Sequence, residues 1–193
     1  MKRASALLGF SFACLSTAFA AIDFTPLTGE RELNGVKFAQ LVFHENGRNV
    51  VYEPPRTWTY SGGGPSIKFI PPKISLAEGE IQQQPLKAPL AFDEATTKAL
   101  QAQTLAAVPS GSTTVTLLGE ELNPLLVNGN ATYEVTVGYT FYGEEFQLSI
   151  LYINLPDTLL KMRTVAKKND FEKVHEAFRA SAVSFQGLKP GNG

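Results

Sequence analysis

The sequence predicts an α+β fold: an antiparallel β-sheet meander flanked by two main helices. Three observations carry this. Short apolar runs in the first half are cut by Gly and Pro every eight to twelve residues, the pattern of an antiparallel sheet. From Thr132 to Phe141, Tyr133, Val135, Val137, Tyr139 and Phe141 alternate with Thr132, Glu134, Thr136, Gly138 and Thr140. That period of two is a strand with one face buried. Near the C-terminus, Phe171, Val174, Phe178 and Ala182 recur at helical spacing, with Lys173, Glu176 and Arg179 off the stripe.

Taken in order, residues 1–20 read as a secretory leader. Lys2 and Arg3 precede the apolar stretch Ala6 to Leu15, and Ala18-Phe19-Ala20 is an A-x-A site with the cut before Ala21. The apolar core is shorter than the roughly 20 residues that span a bilayer, and Phe146 to Leu155 is interrupted by Gln147, Ser149 and Asn154. The mature chain is therefore expected to lack a transmembrane segment and to reach the periplasm or the exterior. The single cysteine, Cys14, lies in this leader. Ser11 and Phe12 before it fit a lipidation signal poorly. Without it the chain forms no disulfide and has no thiolate chemistry. A chain of this length buries a core without such staples.

Residues 21–35 read as a loose lead-in, with Pro26 and Gly29. A single domain is expected over 36–186 and a flexible tail over 187–193. Val36 to Phe43 is a strand or a short amphipathic segment. Asn46-Gly47 turns the chain into a strand over Asn49 to Glu53, which Pro54-Pro55 ends. Trp58 to Tyr60, Ser66 to Ile70 and Ala77 to Gln83 read as further strands, stopped by Gly62-Gly63-Gly64-Pro65, Pro71-Pro72 and Pro85. Asp93 then caps a helix whose Ala95, Ala99, Ala102 and Ala106 form a small-residue face suited to close packing on a sheet. Pro109-Ser110-Gly111 stops it. A strand over Thr113 to Leu118 leads into the alternating run. Tyr142 to Glu145 is a hairpin turn. Phe146 to Ile153, apolar on both faces towards its end, and Leu159 to Lys167 continue the meander. A last helix over Asp170 to Val183 has Asn169 as cap and Glu172 completing a capping box.

Two stretches resemble the Mog1/PsbP-like fold superfamily, an α/β/α sandwich. One is Val51 to Trp58, a strand, a Pro-containing turn and Trp. The other is the block from Thr132 to Phe185, closing on Ser181-Ala182-Val183-Ser184-Phe185. Thr57 departs from the pattern, where Gly is usual before the Trp. The resemblance implies a fold whose members bind assorted partners, are often exported and are mostly not enzymes.

Candidate chemistry is sparse. The formal net charge of −1 becomes −3 once Lys2 and Arg3 leave with the leader, which gives no basic stripe for nucleic acid. His44 and His175 are the only histidines. His44 points away from adjacent Glu45, and His175 borders the apolar stripe, so neither reads as a metal ligand. Gly63 to Ser66 is a turn without a phosphate-loop Lys. Asn130-Ala131-Thr132 is a glycosylation sequon by chance in a bacterial-looking export protein. Glu78/Glu80, Glu120/Glu121 and Glu144/Glu145 read as solvated edges and tips. No catalytic, cofactor-binding or metal residue is assigned. Trp58, Tyr60 and Phe69 line a groove or belong to the core. The expected function is a non-catalytic binding or accessory protein of the bacterial envelope, with a protein or small-molecule partner that the residues do not name. A carboxylate-dependent periplasmic hydrolase using Glu78 and Glu80, and a structural envelope component, are the alternatives.

Overall fold

The structure is a computed structural model that describes residues 21–190. Residues 1–20, with Cys14 and with Ala18 and Ala20 of the expected cleavage site, lie outside the described residues. Ala21, the expected first residue after cleavage, is exposed. Two antiparallel sheets are built from ten strands. The first holds β1 (Asp23–Leu33), β2 (Val36–Glu45) and β3 (Arg48–Tyr52) in that order. The second runs β4 (Thr59–Gly63), β5 (Ser66–Ile70), β6 (Glu78–Pro85), β10 (Thr158–Lys167), β9 (Glu144–Asn154), β8 (Thr132–Phe141) and β7 (Thr113–Leu122). Helices α1 (Glu94–Ala106) and α2 (Lys168–Ser181) complete the fold, and a 3-10 turn over Ala182–Ser184 follows α2.

The seven-stranded sheet is covered on both faces, as the α+β reading requires. On one side α1 seats Leu100 among Tyr133, Val135, Val137, Leu148, Ile150 and Tyr152. On the other, the small sheet brings Phe24, Leu41, Phe43, Val50 and Tyr52 against Ile67, Phe69, Ile81, Leu160 and Met162, joined by Phe178 and Phe185. One apolar cluster therefore spans both sheets.

Four expectations are corrected. The lead-in is strand β1, paired with β2 from Asp23↔His44 to Leu33↔Val36 with a register shift before Leu27. Pro26 is tolerated because β1 is an edge strand. Asn34-Gly35 makes its two-residue turn, with φ of 53° and 76°. Both angles are positive, the geometry that Asn-Gly hairpins adopt. The tail over 187–190 is packed down: Leu188 is buried and the Lys189 ammonium reaches Glu45 at 3.1 Å and also meets Asp157. Asp93 does cap α1, accepting from the Thr96 N–H at 2.8 Å. However, Ala95, Ala99, Ala102 and Ala106 all face solvent, and the helix docks through Leu100 and Thr104. A methyl group gains little on burial, so the leucines set the orientation, Leu100 buried and Leu105 partly buried against the same cluster. Finally, α2 starts at Lys168 directly from β10, with Lys167 at the cap and no side-chain cap bond, so Asn169 does not cap it.

Gly79 shows how closely α2 sits. A Cβ there would meet the Phe178 ring at 2.8 Å. Gly79→Ala therefore lowers stability by about 2 kcal/mol through overpacking. Gly119→Ala, with nothing within 4 Å, changes it by less than about 0.5 kcal/mol. Denaturant unfolding of both variants, and recovery in Gly79→Ala/Phe178→Leu, checks the contact.

Candidate functional site

Prolines and aromatics shape a cleft of about 750 Å³ between β2, the loop over 53–58 and α2. Its floor is a stripe of small residues, Ala177, Ala180, Ser181 and Ser184, spaced along one side of α2 and the turn after it. Phe38, Trp58 and Tyr60 form the walls. Trp58 is stacked on Phe178, with centroids 5.8 Å apart and planes 3° from parallel. The loop is tied to the turn after α2 at its start and closes a turn on itself at its end. The Glu53 N–H donates to Ser184 Oγ at 2.9 Å, and the Trp58 N–H to the Pro55 carbonyl at 3.2 Å. Of the three aromatics named from sequence, Trp58 and Tyr60 are half-buried and line the cleft, while Phe69 is fully buried beneath them.

Charge at the cleft is mostly paired. Arg31 Nε donates to Glu53 Oε1 at 2.6 Å and its Nη2 to Oε2 at 3.0 Å, with Gln40 adding a third bond at 3.0 Å. The Arg31 hydrogen bond outweighs partial burial and holds the Glu53 carboxyl below the usual range. Lys37 pairs with Glu30 at 2.9 Å. The hydroxyls of Ser181 and Ser184 are both engaged by neighbours. Ser181 Oγ donates to the Phe178 carbonyl at 2.5 Å and lies 2.6 Å from the Tyr52 hydroxyl. Ser184 Oγ bonds the Ser181 carbonyl at 2.6 Å. No histidine lines the cleft.

A second polar constellation lies under α2. The His175 Nε2 is 2.6 Å from Glu134 Oε1, Ser149 Oγ donates to the same oxygen at 2.9 Å, and Arg179 Nη1 reaches Oε2 at 3.1 Å. The strand β8 was expected to bury one face only. In fact Glu134, on the polar side, is 5 % exposed, because α2 covers that side. Burial pushes the Glu134 carboxyl up, but the bonds and charges of His175, Ser149 and Arg179 prevail and hold it below the ordinary value. Serine, histidine and glutamate meet here, but not in the order of a nucleophilic triad. Ser149 donates to the carboxylate rather than to the imidazole, and neither Glu134 nor His175 lines the cleft. The cluster fastens α2 to the sheet. Sequence reading missed it because the partners are 41 and 45 residues apart.

The remaining candidates sort by geometry. Glu78 and Glu80 do not lie on an edge: β6 is paired on both sides. Arg163 Nη1 approaches Glu78 at 2.6 Å and Glu80 at 4.0 Å. Burial raises the Glu78 carboxyl, and the Arg163 guanidinium with Lys68 more than reverses this. Glu78 is held as an anion, against general-acid work. Glu120 accepts from Tyr133 and Gln101. Glu144 and Glu145 pair with Lys167 and Lys168, each at 3.1 Å. His44 is exposed while Glu45 is buried beside Arg48 and Lys189. Asn130 of the sequon is fully buried, its amide donating to the Val127 and Lys189 carbonyls at 3.0 Å. Among the described residues no three of His, Cys, Asp and Glu gather as metal ligands, and no helix is long and apolar enough to cross a membrane.

Neither a family model nor a curated protein matches the sequence. Solved structures do resemble the fold. LpqN, described as involved in cell envelope biogenesis of Mycobacterium tuberculosis, aligns at TM-score 0.49 and 10 % identity over 86 % of this chain and 92 % of its own. A cyanobacterial PsbP from Synechocystis gives 0.45 and 12 % over 91 % and 97 %. The Pseudomonas aeruginosa protein PA94, of unknown function, gives 0.44 and 11 % over 86 % and 99 %. The likeness is one of architecture, and the functional argument rests on the cleft.

Two outcomes follow from these contacts. Glu134→Gln lowers stability by about 2 kcal/mol at pH 7, less than for a fully buried pair because Arg179 is a third exposed. A carboxyl depressed in the folded state stabilises fully above its unfolded value, 4.5 for glutamate, and stops doing so as the pH falls below it. The gap between wild type and variant therefore closes under acid conditions, which unfolding curves from pH 3 to 7 measure. Thr57 has a φ of 67°, the left-handed region that glycine occupies freely. Thr57→Gly raises the melting temperature and Thr57→Val lowers it, as circular dichroism melts will show; a fall with glycine contradicts the strain.

Proposed function

We propose that this chain is an exported, non-catalytic binding or accessory protein of the bacterial envelope, and that the cleft over α2 is where its partner is held. The observation that supports this reading most is the cleft itself: aromatic walls, a floor of small side chains and hydroxyls already committed to neighbours. Such a site offers shape and apolar contact but no group free to move a proton. The order of charges, apolar run and A-x-A motif in residues 1–20 supports export. The weakly acidic charge fits neither nucleic acid nor anionic lipid. The hydrolase alternative loses its general acid, since the Arg163 guanidinium holds Glu78 as an anion.

The test has two arms. Expressed in full in a bacterium, the protein is recovered from the periplasmic fraction with Ala21 as first residue; an intact leader on cytoplasmic protein refutes export. The purified chain binds the neutral apolar dye N-phenyl-1-naphthylamine and transfers energy to it from Trp58, the only tryptophan. Ala180→Phe, which fills the floor from an exposed position, abolishes binding while the fold is retained. Dye binding that survives this change refutes the cleft as the site.

A further inference from the structure

We propose that the cleft takes a free monocarboxylate with an apolar body, its head group on Arg56; this rests on the reading of the cleft as the binding site. Three charged side chains line the cleft: Lys37, Glu53 and Arg56. Lys37 is neutralised by Glu30 and Glu53 by Arg31. The Arg56 side chain has no ion-pair or hydrogen-bond partner among the described residues; only its backbone carbonyl is engaged, by the Thr57 hydroxyl. The Arg56 guanidinium instead lies 4.6 Å from the centroid of the Phe38 ring, and that of Arg31 lies 5.0 Å from the same centroid. Stacking on an aromatic face holds an arginine in place without consuming its N–H donors. Two guanidiniums beside one ring, with a single carboxylate between them, leave one positive charge at the cleft.

The ligand's chemistry follows from these groups. An arginine fork matches a planar carboxylate in two parallel hydrogen bonds. One uncompensated cation suits a monoanion rather than a dianion. The body must be apolar because Phe38, Trp58, Tyr60, Ala177 and Ala180 supply the remaining contact area. A sugar or a peptide terminus would bring hydroxyls or amides to Ser181 and Ser184, whose oxygens are engaged with Tyr52 and backbone carbonyls. A volume of about 750 Å³ lies in the range of small-molecule sites.

The experiment compares decanoate, decanol and decyltrimethylammonium, each below its micelle concentration, by calorimetry and by Trp58 emission. The wild type is expected to bind decanoate about tenfold more tightly than decanol, a preference that weakens with salt. Arg56→Gln removes the preference and leaves decanol unchanged; Arg56→Lys keeps part of it. Arg56 is exposed, so both variants should fold. Equal affinity for decanoate and decanol, or a preference retained in Arg56→Gln, overturns the assignment to Arg56 while the cleft stands. Tightest binding of the ammonium overturns it as well. Failure of all three, together with failure of the neutral dye, removes the cleft reading itself.

Discussion

The seating of α2 on the seven-stranded sheet is the contact on which the rest depends. It is made in two chemically different ways. Phe178 enters the space that Gly79 leaves empty on β6, and His175 and Arg179 close on Glu134 of β8. The first contact fixes how near the helix lies; the second fixes its rotation, because a buried carboxylate needs its donors in place. The remaining side of the same helix then has its geometry determined. Ala177, Ala180 and Ser181 form the cleft floor, and Phe178 carries Trp58 on its ring. Core and candidate site are two sides of one fourteen-residue helix.

What could be read from the sequence was what short-range chemistry dictates. Asp93 announced a helix start, Pro54-Pro55 a strand end, and the alternation from Thr132 to Phe141 a strand. The misreadings share a cause. Periodicity at Glu134 identifies a polar position but does not say whether water or a second layer faces it, since His175 comes from an element far along the chain. The alanines of α1 are regularly spaced yet carry too little apolar area to decide which side turns inward. Pro26 and Gly29 hid β1, although Asn34-Gly35 marked its turn. Thr57 was legible as a departure, and its positive φ gives that departure a physical meaning. The cleft itself was half legible: Trp58 and Tyr60 could be named, but Phe38 and Arg56 join them only when β2 is folded beside the loop.

Edges show how the large sheet ends. All ten residues of β7 are exposed, among them Val115, Leu117, Leu118 and Leu122. Such an edge invites pairing with other chains. Two register shifts against β8 interrupt its regular ladder, and Glu120 and Glu121 put charge near its end. The opposite edge, β4, is approached by β1, where the Phe24 N–H donates to the Gly64 carbonyl at 2.9 Å. The hairpin of the small sheet therefore both shields that edge and carries Phe38 to the cleft.

The cleft wall is built to be rigid before anything enters it. Pro54 and Pro55 restrict their own φ, Glu53 is held from one side by Arg31 and Gln40 and from the other by the Ser184 hydroxyl, and Trp58 rests flat on Phe178. A loop free to collapse would fill the cavity with its own aromatics and spend binding energy on reopening it. Here the ordering cost is met during folding, and it includes a threonine kept in a left-handed conformation. Strain of that kind persists only where the surroundings over-determine the backbone. Thr57 sits between two such anchors, the proline pair before it and the stacked Trp58 after it, so the conformation that glycine would adopt freely is imposed from both sides.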